Sequence, residues 1–312
     1  MKKKLKQLAQ VRHRPNFMAY ACLVGVCFFW GTTWVVSAWT VRQGVSALQV
    51  AAVRQVIAGI ILCVSLWWVH KDQLALPSWK DTFLLAFLNF VCSNALSTWG
   101  VKYIPGGLGS IVGAAYPLWI VVLYTWFFGR KISAAIWVGM LLAFFGLVLV
   151  FYPSLMGADV KGNFVFGFAL SVFSSITWAL GTIYTKRQAD RKVNPYFSIG
   201  LQMLLSGSVL CLVLYMGGKF TPLQAIPSGV WGGIGYLTLV GSLIAFSCFL
   251  YALKHLPAEQ VSIYAYVNPI VALFISHFTM GEAITPMLLM GTAVVIVGVY
   301  SINRAFKMEA VS

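Results

Sequence analysis

The sequence predicts an all-α integral membrane protein in which ten transmembrane helices form two inverted five-helix repeats. The first observation behind this prediction is the composition. Of the 312 residues, 60% are hydrophobic and 9% are charged, with a mean hydropathy of +0.85. Charged residues make up about 25% of an ordinary soluble domain. The composition therefore suits a chain that lies in the hydrocarbon of a bilayer.

The second observation is an internal duplication. Residues 102–146, moved forward by 152 positions, align without a gap on residues 254–298. Prolines and glycines recur at the same places, which indicates a repeated unit. We predict a basic N-terminal tail at 1–16, a first five-helix copy at 17–152 and a second at 163–305. Nine positions are identical, and in the first copy they are Lys102, Pro105, Ser110, Ile111, Pro117, Gly129, Ile132, Gly139 and Gly146.

Ten apolar stretches provide the helices of the two copies. A helix needs ~20 apolar residues to cross the hydrocarbon layer, and each stretch is close to that length. The uninterrupted apolar runs exclude the alternating pattern of a transmembrane β-barrel. The predicted spans are 17–40, 46–69, 82–101, 105–128, 133–152, 163–185, 196–216, 229–253, 257–280 and 285–303.

Lysine and arginine predict the orientation of these spans. With the amino terminus in the cytoplasm, the tail, the even-numbered loops and the carboxyl terminus hold seventeen of the 22 basic residues, and the opposite side holds four. Both termini are therefore predicted to be cytoplasmic. Because each copy has an odd number of spans, the second copy enters the membrane from the opposite side and the two copies are inverted.

The net charge of +15 belongs to the tail and to short loops, where topology and membrane lipids account for it. Nucleic acid is therefore excluded as a partner. The six cysteines lie within predicted spans without a C-x-x-C pattern, and we interpret them as buried apolar residues. The sequence predicts no metal and no cofactor, and it does not indicate an oligomeric state.

Three groups of residues carry a family resemblance: Trp30-Gly31-Thr32-Thr33-Trp34, Arg54-x-x-x-Ala58-Gly59, and Ala252 to Ala258 followed by Asn268-Pro269 and Gly281-Glu282. On these motifs the chain resembles, from about residue 17 to 305, the EamA-type transporters of the drug/metabolite transporter superfamily. The resemblance implies a ten-span carrier in a bacterial inner membrane. Many carriers of this kind export amino acids, related metabolites or toxic organic compounds.

Arg54 is the charged residue nearest to the middle of a predicted span. It lies eight residues into the second span, roughly 12 Å deep at ~1.5 Å per residue, so it must face the protein interior. Arg54 either holds a substrate carboxylate or ties helices together through carbonyl and side-chain oxygens. Its counterpart in the second copy, 148 positions further on, is the neutral Gln202.

Aromatic and amide side chains near predicted helix centres are the other candidates for substrate binding. Trp178 shares a helical stripe with Ser171, Ser175 and Thr182, and such a stripe either lines a cavity or allows close helix packing. The predicted substrate-binding set is Trp30, Trp34, Arg54, Asn94, Trp99, Tyr116, Trp178, Gln202, Tyr264 and Asn268.

Two prolines and one histidine complete the candidates. Pro117 and Pro269 occupy equivalent places in the two copies, and each is expected to kink its helix near the binding site. His277 is a candidate for proton coupling, because histidine exchanges protons readily near neutral pH. The alternative is a hydrogen-bonded structural histidine. Glu259 and Glu282 lie near span ends, which gives little support to a carboxylate proton relay.

The sequence thus predicts a secondary transporter, and more narrowly an exporter, that moves small amphipathic metabolites such as amino acids or aromatic compounds by alternating access. A lipid flippase or scramblase remains an alternative, because it differs only in whether the cavity opens sideways to the bilayer. An intramembrane enzyme is disfavoured, since the chain has no H-E-x-x-H motif and no nucleophile with a base at depth. The expected partners are a small-molecule substrate and membrane lipids.

Overall fold

The computed structural model is helical through the part of the chain that it describes. The described residues are 17–41, 43–70, 75–96, 112–129, 132–156, 164–188, 193–280 and 284–309. Within these ranges the extended pairing is limited to an isolated bridge between Ala75 and Val193. The prediction of an all-helical chain is therefore confirmed.

The helices of the first copy follow the predicted spans closely where the structure describes them. A π-helical segment, Ala86–Ala95, directly continues α3 with turns that are wider than those of an α-helix. The predicted span at 82–101 runs through this segment and ends outside the described residues. The helices are α1 (Phe17–Val41), α2 (Ala47–His70), α3 (Trp79–Leu85), α4 (Tyr116–Phe128) and α5 (Ala134–Met156).

The second copy contains a π-helical segment at the equivalent place. It covers Leu237–Ile244 and joins α8 to α9. Shifted by 148 positions, the segment Ala86–Ala95 overlaps it. The helices are α6 (Phe164–Gln188), α7 (Pro195–Met216), α8 (Ser228–Tyr236), α9 (Ala245–His255), α10 (Ala258–Val261), α11 (Tyr264–Met280) and α12 (Pro286–Glu309).

Length and hydropathy identify the helices that can cross a membrane. Seven helical stretches among the described residues are long and apolar enough to do so. Val112–Phe127 and Ala134–Val150 are shorter apolar helices. The predicted total of ten spans remains a prediction.

Local chemistry sets several helix ends. Asn194 caps α7, because its Oδ1 accepts hydrogen bonds from the backbone N–H groups of Tyr196 and Phe197. Pro195 occupies the first turn of the same helix, where its missing N–H has no helical partner to lose. Gly129 ends α4 with a left-handed φ of 59°, a conformation that costs glycine no Cβ clash.

A close backbone contact between the two copies joins α5 to α12 through the duplicated glycines. A Cβ on Gly146 would lie 2.8 Å from the carbonyl oxygen of Gly291, and a Cβ on Gly298 would lie 2.5 Å from the amide nitrogen of Ala143. A Cβ on Gly139 would in turn lie 3.1 Å from the carbonyl oxygen of Gly298. As the number rises along α5, the number of its contact on α12 falls. The two helices are therefore antiparallel, with backbones in contact.

The α2–α7 pair repeats this arrangement. A Cβ on Gly59 would lie 2.6 Å from the amide nitrogen of Leu204, and a Cβ on Gly207 would lie 2.8 Å from the carbonyl oxygen of Ala52. Between these contacts the Ser206 hydroxyl donates to Gln55 Oε1 at 2.7 Å. α2 and α7 are thus antiparallel as well, and they occupy equivalent places in the two copies.

The remaining helices interleave the two copies. α1 packs against α9, α11 and the π-helical segment Leu237–Ile244 of the second copy. α6 packs against α4 and the π-helical segment Ala86–Ala95 of the first copy. The first helix of each copy therefore lies on the third and fourth helical stretches of the other copy, and the candidate site lies where these elements meet.

We predict that Gly298→Ala destabilises the protein and that Gly235→Ala does not. The added methyl group at 298 would overlap the α5 backbone, and such overpacking costs about 1–3 kcal/mol, whereas a Cβ on Gly235 would meet no atom within 4 Å. Thermal unfolding of the two detergent-purified variants beside the parent protein measures the difference. Equal unfolding temperatures would contradict the close α5–α12 contact.

Candidate functional site

An aromatic cluster lies in the core of the bundle and draws on both copies. The rings of Trp30 and Tyr264 have centroids 4.9 Å apart, and those of Tyr116 and Tyr264 are 5.7 Å apart. Trp178 lies 6.2 Å from Trp30. These spacings fall within the range of favourable aromatic contacts. The aromatic cluster consists of Trp30, Phe90, Tyr116, Trp178, Phe246, Phe249 and Tyr264.

The centre of the cluster takes one tryptophan and one tyrosine from each copy. Trp30 and Trp178 are equivalent, 148 positions apart, whereas the offset of 152 that relates Pro117 to Pro269 relates Tyr116 to Asn268. Tyr116 and Tyr264 are buried, whereas the two tryptophans keep part of their surface exposed. The cluster is therefore a junction between the copies with an accessible edge that the tryptophans provide.

The polar atoms of these rings bond within the protein. Trp178 Nε1 donates to the Tyr264 hydroxyl at 2.6 Å, and the Tyr116 hydroxyl donates to Thr182 Oγ1 at 3.0 Å. Trp30 Nε1 donates to the carbonyl oxygen of Gly241 at 3.0 Å. These bonds fix the orientation of the rings. A ligand would therefore meet ring faces and edges whose N–H and O–H groups already have partners.

The π-helical segments supply two equivalent carbonyl groups to this junction. Gly241 lies in the second segment, and its counterpart in the first is Ser93. The Ser93 carbonyl oxygen accepts a hydrogen bond from Ser174 Oγ of α6 at 2.6 Å. The wider π-helical turn shifts the backbone bonding pattern and leaves carbonyls for such side-chain donors. Each copy thus holds the first helix of the other copy through a π-helical carbonyl.

Arg54 lies beside the cluster, next to Gly241, the residue whose carbonyl oxygen accepts the bond from Trp30. A Cβ built on Gly241 would lie 3.5 Å from Arg54 Nη1, so the guanidinium packs against this backbone. The Arg54 side chain is half-buried. Among the described residues, no carboxylate or hydrogen-bond acceptor pairs with it. Since an unpaired guanidinium at membrane depth is costly, this position favours an anionic ligand group or water as its partner.

Gln202, the counterpart of Arg54, takes part in a buried amide network. Asn89 Nδ2 donates to Gln202 Oε1 at 3.5 Å, and Gln202 Nε2 donates to Ser198 Oγ at 3.1 Å. Gln202 and Ser198 also line a narrow crevice that Thr185 and Leu250 border. The two copies therefore present different chemistry at equivalent positions: a cation in one and a neutral network in the other.

Two other candidate amides bond to backbone. With its amide oriented to satisfy its neighbours, Asn268 donates to the carbonyl oxygens of Cys27 at 2.9 Å and Tyr264 at 3.1 Å. It thereby ties α11 to α1. Asn94 Nδ2 donates to the carbonyl oxygen of Asn89, five residues earlier in the π-helical segment, at 3.0 Å. Both contacts give these amides a structural role near the cluster.

The prolines differ in their placement. Pro117 lies in the first turn of α4, after a turn at Ala115, instead of inside a continuous helix. Its missing N–H leaves no helical bond unmade there. Pro269 lies inside α11, as expected for a kink. In both copies the chain turns shortly before the proline, at Ala115 and at 262–263.

Four further residues considered from the sequence lie away from the cluster, or their side chains are outside the described part of the structure. His277 lies in the last turn of α11, with its ring 5.1 Å from that of Phe278. Trp99 and Glu282 lie outside the described residues, and of Trp34 only the backbone within α1 is described. The structure therefore brings together Trp30, Tyr116, Trp178 and Tyr264, with Arg54 beside them.

The sequence does not single out Phe90, Phe246 and Phe249. The chain has 22 phenylalanines, and in a membrane protein most such rings face lipid or pack in the core. A phenylalanine carries no polar atom that would single it out. The signal that could have found them is the repeat itself, since the third helical stretch of each copy lies opposite the first helix of the other.

These features define the chain as a multi-pass helical membrane protein with a buried aromatic junction between two copies of one unit. The sequence profile of the EamA-like transporter family matches residues 17–152 and 165–304. The chain therefore belongs to the EamA-like transporter family. The resemblance seen in the sequence motifs is confirmed, and with it a role in transport.

Relatives and one solved structure agree with this assignment. The "Uncharacterized inner membrane transporter YedA" of Escherichia coli K12 is 27% identical over 296 residues, covering 93% of this chain and 92% of the relative. The "Uncharacterized transporter YvbV" of Bacillus subtilis is 25% identical, covering 96% of each chain. A structure described as "Crystal structure of protein" superposes with a TM-score of 0.79 at 17% identity, covering 93% of this chain and 98% of its own. That likeness supports the fold.

We predict that Trp178→Phe lowers the free energy of unfolding by about 1 kcal/mol, because it keeps most ring contacts and removes the donor to Tyr264. Trp178→Ala should cost about 3–5 kcal/mol, because it also opens a cavity. Trp126 is 77% exposed, so Trp126→Ala is the matched control and should change little. Unfolding of the three variants in detergent measures their stabilities relative to the parent protein. A Trp178→Ala variant as stable as the Trp126→Ala control would contradict a packed cluster.

Proposed function

We propose that this transporter is a secondary exporter that carries small amphipathic metabolites, such as amino acids or aromatic compounds, by alternating access. The observation that carries the proposal is the aromatic cluster, which takes its central rings in pairs from both copies and adjoins Arg54. The relative YedA is named as an inner membrane transporter, and we place this chain in the same kind of membrane.

The chemistry of the site fits a solute with an apolar body and an anionic group. Ring faces of Trp30 and Trp178 offer dispersion and stacking contacts to the apolar body. Arg54 offers two parallel N–H donors, which match a carboxylate. Because Arg54 has no partner among the described residues, a carboxylate would relieve the cost of its burial as well as gain an ion pair.

The packing of the helices supports two inverted copies. The equivalent helices α2 and α7 are antiparallel, and so are α5 and α12. A repeat related by an axis along the membrane normal would make equivalent helices parallel. Inverted copies can exchange conformations, so that one sequence unit provides both an inward-open and an outward-open state. We propose ten spans in this arrangement, with both termini in the cytoplasm.

Uptake into proteoliposomes tests the proposed function. The purified protein is reconstituted, a panel of radiolabelled amino acids and aromatic carboxylates is offered, and initial rates are measured with and without an imposed pH gradient. We expect saturable uptake of a subset of the panel. A rate that the gradient changes would support proton coupling, with His277→Gln as its first test. No uptake of any compound by folded protein would contradict the proposal and favour a lipid substrate.

We predict that Arg54→Gln raises the KM for transported carboxylates at least ~10-fold, since a hydrogen bond to a charged group contributes about 1.5–3 kcal/mol. The KM for the amide or ester of the same compound should change little. The matched control is Lys219→Gln, which removes an equal charge from an exposed position. The same KM increase for the carboxylate and its neutral analogue would assign Arg54 a structural role.

A further inference from the structure

We infer that a polar lock joins the helices at one face of the bundle, and that this lock biases the carrier toward the state in which that face is closed. The face in question is the terminal face, where α1 begins and α12 ends. The inference rests on the proposed alternating access between two states. The lock consists of Tyr20, Lys186, Gln260 and Asn303.

Lys186 joins the end of α6 to the end of α9. Its ammonium donates to the carbonyl oxygen of Leu253, to that of Lys254 at 3.2 Å and to that of Leu256 at 2.9 Å. The last carbonyls of a helix have no intrahelical partner, and they carry the negative end of the helix dipole. One cation therefore satisfies three acceptors where α9 turns into α10.

Gln260 joins three helical elements at the same face. Its Nε2 donates to Asn303 Oδ1 of α12 at 2.7 Å and to the Tyr20 hydroxyl of α1 at 3.2 Å. Gln260 is 2% exposed, so both bonds are shielded from water. Asn303 is itself held by a bond from its Nδ2 to the carbonyl oxygen of Val299 at 3.1 Å. Separating α1 or α12 from α10 would break these bonds.

The equivalent positions of the other copy lack this chemistry. Shifting by 148 positions relates Tyr20 to Phe168 and Lys186 to Ala38, and shifting by 152 relates Gln260 to Leu108 and Asn303 to Phe151. None of these four counterparts has a side chain that forms conventional hydrogen bonds. In an inverted pair the counterparts belong to the opposite face. These four residues can therefore form polar bonds at the terminal face that their counterparts cannot form at the opposite face.

Because the lock has no equivalent in the other copy, the two states of the carrier differ in free energy. Two inverted copies of identical sequence would open toward either side with equal free energy. The lock adds bonds to only one of the two states. It therefore shifts the equilibrium toward that state by the free energy of those bonds. The resting carrier is closed at the terminal face and open at the opposite face, which under the proposed topology is the outward-open state.

Hydrogen–deuterium exchange of the purified protein without substrate tests the lock. In Lys186→Met we expect the amides of residues 251–263 to exchange about tenfold faster, because the terminal face opens more often. The amides of 228–236, which form α8 at the opposite end of the helical stretch 228–255, should exchange more slowly, because that face closes as the terminal face opens. Gln260→Leu should give the same reciprocal change.

Lys254→Met is the matched control, because Lys254 is on the same segment and its side chain is exposed; it should leave both regions unchanged. Size-exclusion profiles establish that each variant is folded. Unchanged exchange in both lock variants, or faster exchange at 251–263 without slowing at 228–236, would overturn the lock. Reciprocal exchange without solute uptake would support the lock and refute the solute proposal. Solute uptake without reciprocal exchange would support the solute proposal and refute the lock.

Discussion

The structure depends on two antiparallel helix pairs whose backbones touch. α2 lies on α7 and α5 lies on α12, and in each pair glycines remove the side chains that would hold the helices apart. Lipid tails are as apolar as leucine, so membrane helices gain little from hydrophobic burial and associate through van der Waals contact and hydrogen bonds. Four duplicated glycines, Gly139, Gly146, Gly291 and Gly298, supply that contact symmetrically. Duplication of one five-helix unit thereby provides the glycines on both sides of the α5–α12 contact.

This interface fixes where the site can lie. With the second and fifth helices paired across the copies, the first helix of each copy is left to pack on the other copy. The π-helical segments complete that exchange, since the carbonyls of Ser93 and Gly241 hold α6 and α1 respectively. The aromatic rings then meet between the copies. Residues that recur in both copies thus build the junction. Arg54 and the lock have no equivalent in the other copy; Arg54 favours an anionic ligand group, and the lock favours the state that is closed at the terminal face.

Much of this architecture was predictable from the sequence. Composition predicts a membrane protein, because 9% of the residues are charged against about 25% in an ordinary soluble domain. The offset of 152 identifies the glycines that make the α5–α12 contact. Four of the proposed aromatic residues meet in the structure, because tryptophan and tyrosine at mid-span are uncommon enough to attract attention.

The remaining features depend on contacts between distant parts of the chain. Phe90, Phe246 and Phe249 resemble many lipid-facing phenylalanines. The π-helical segments have no simple sequence signature. The sequence predicts that Glu259 lies near a span end, and only the structure shows that it is fully buried. Lys186 and Gln260 sit near span ends too, and only the packing of α9, α10 and α12 shows what they hold.

The central claim is that one buried site is reached from each side of the membrane in turn. The most direct test places a single cysteine at Phe246, which is 8% exposed within the cluster, in a chain whose six native cysteines are replaced. Sealed vesicles of each orientation are treated with a membrane-impermeant thiol reagent, and ion leakage is measured in parallel. The account predicts labelling from both sides without leakage. Labelling from one side only, or from neither, would contradict alternating access to this cluster.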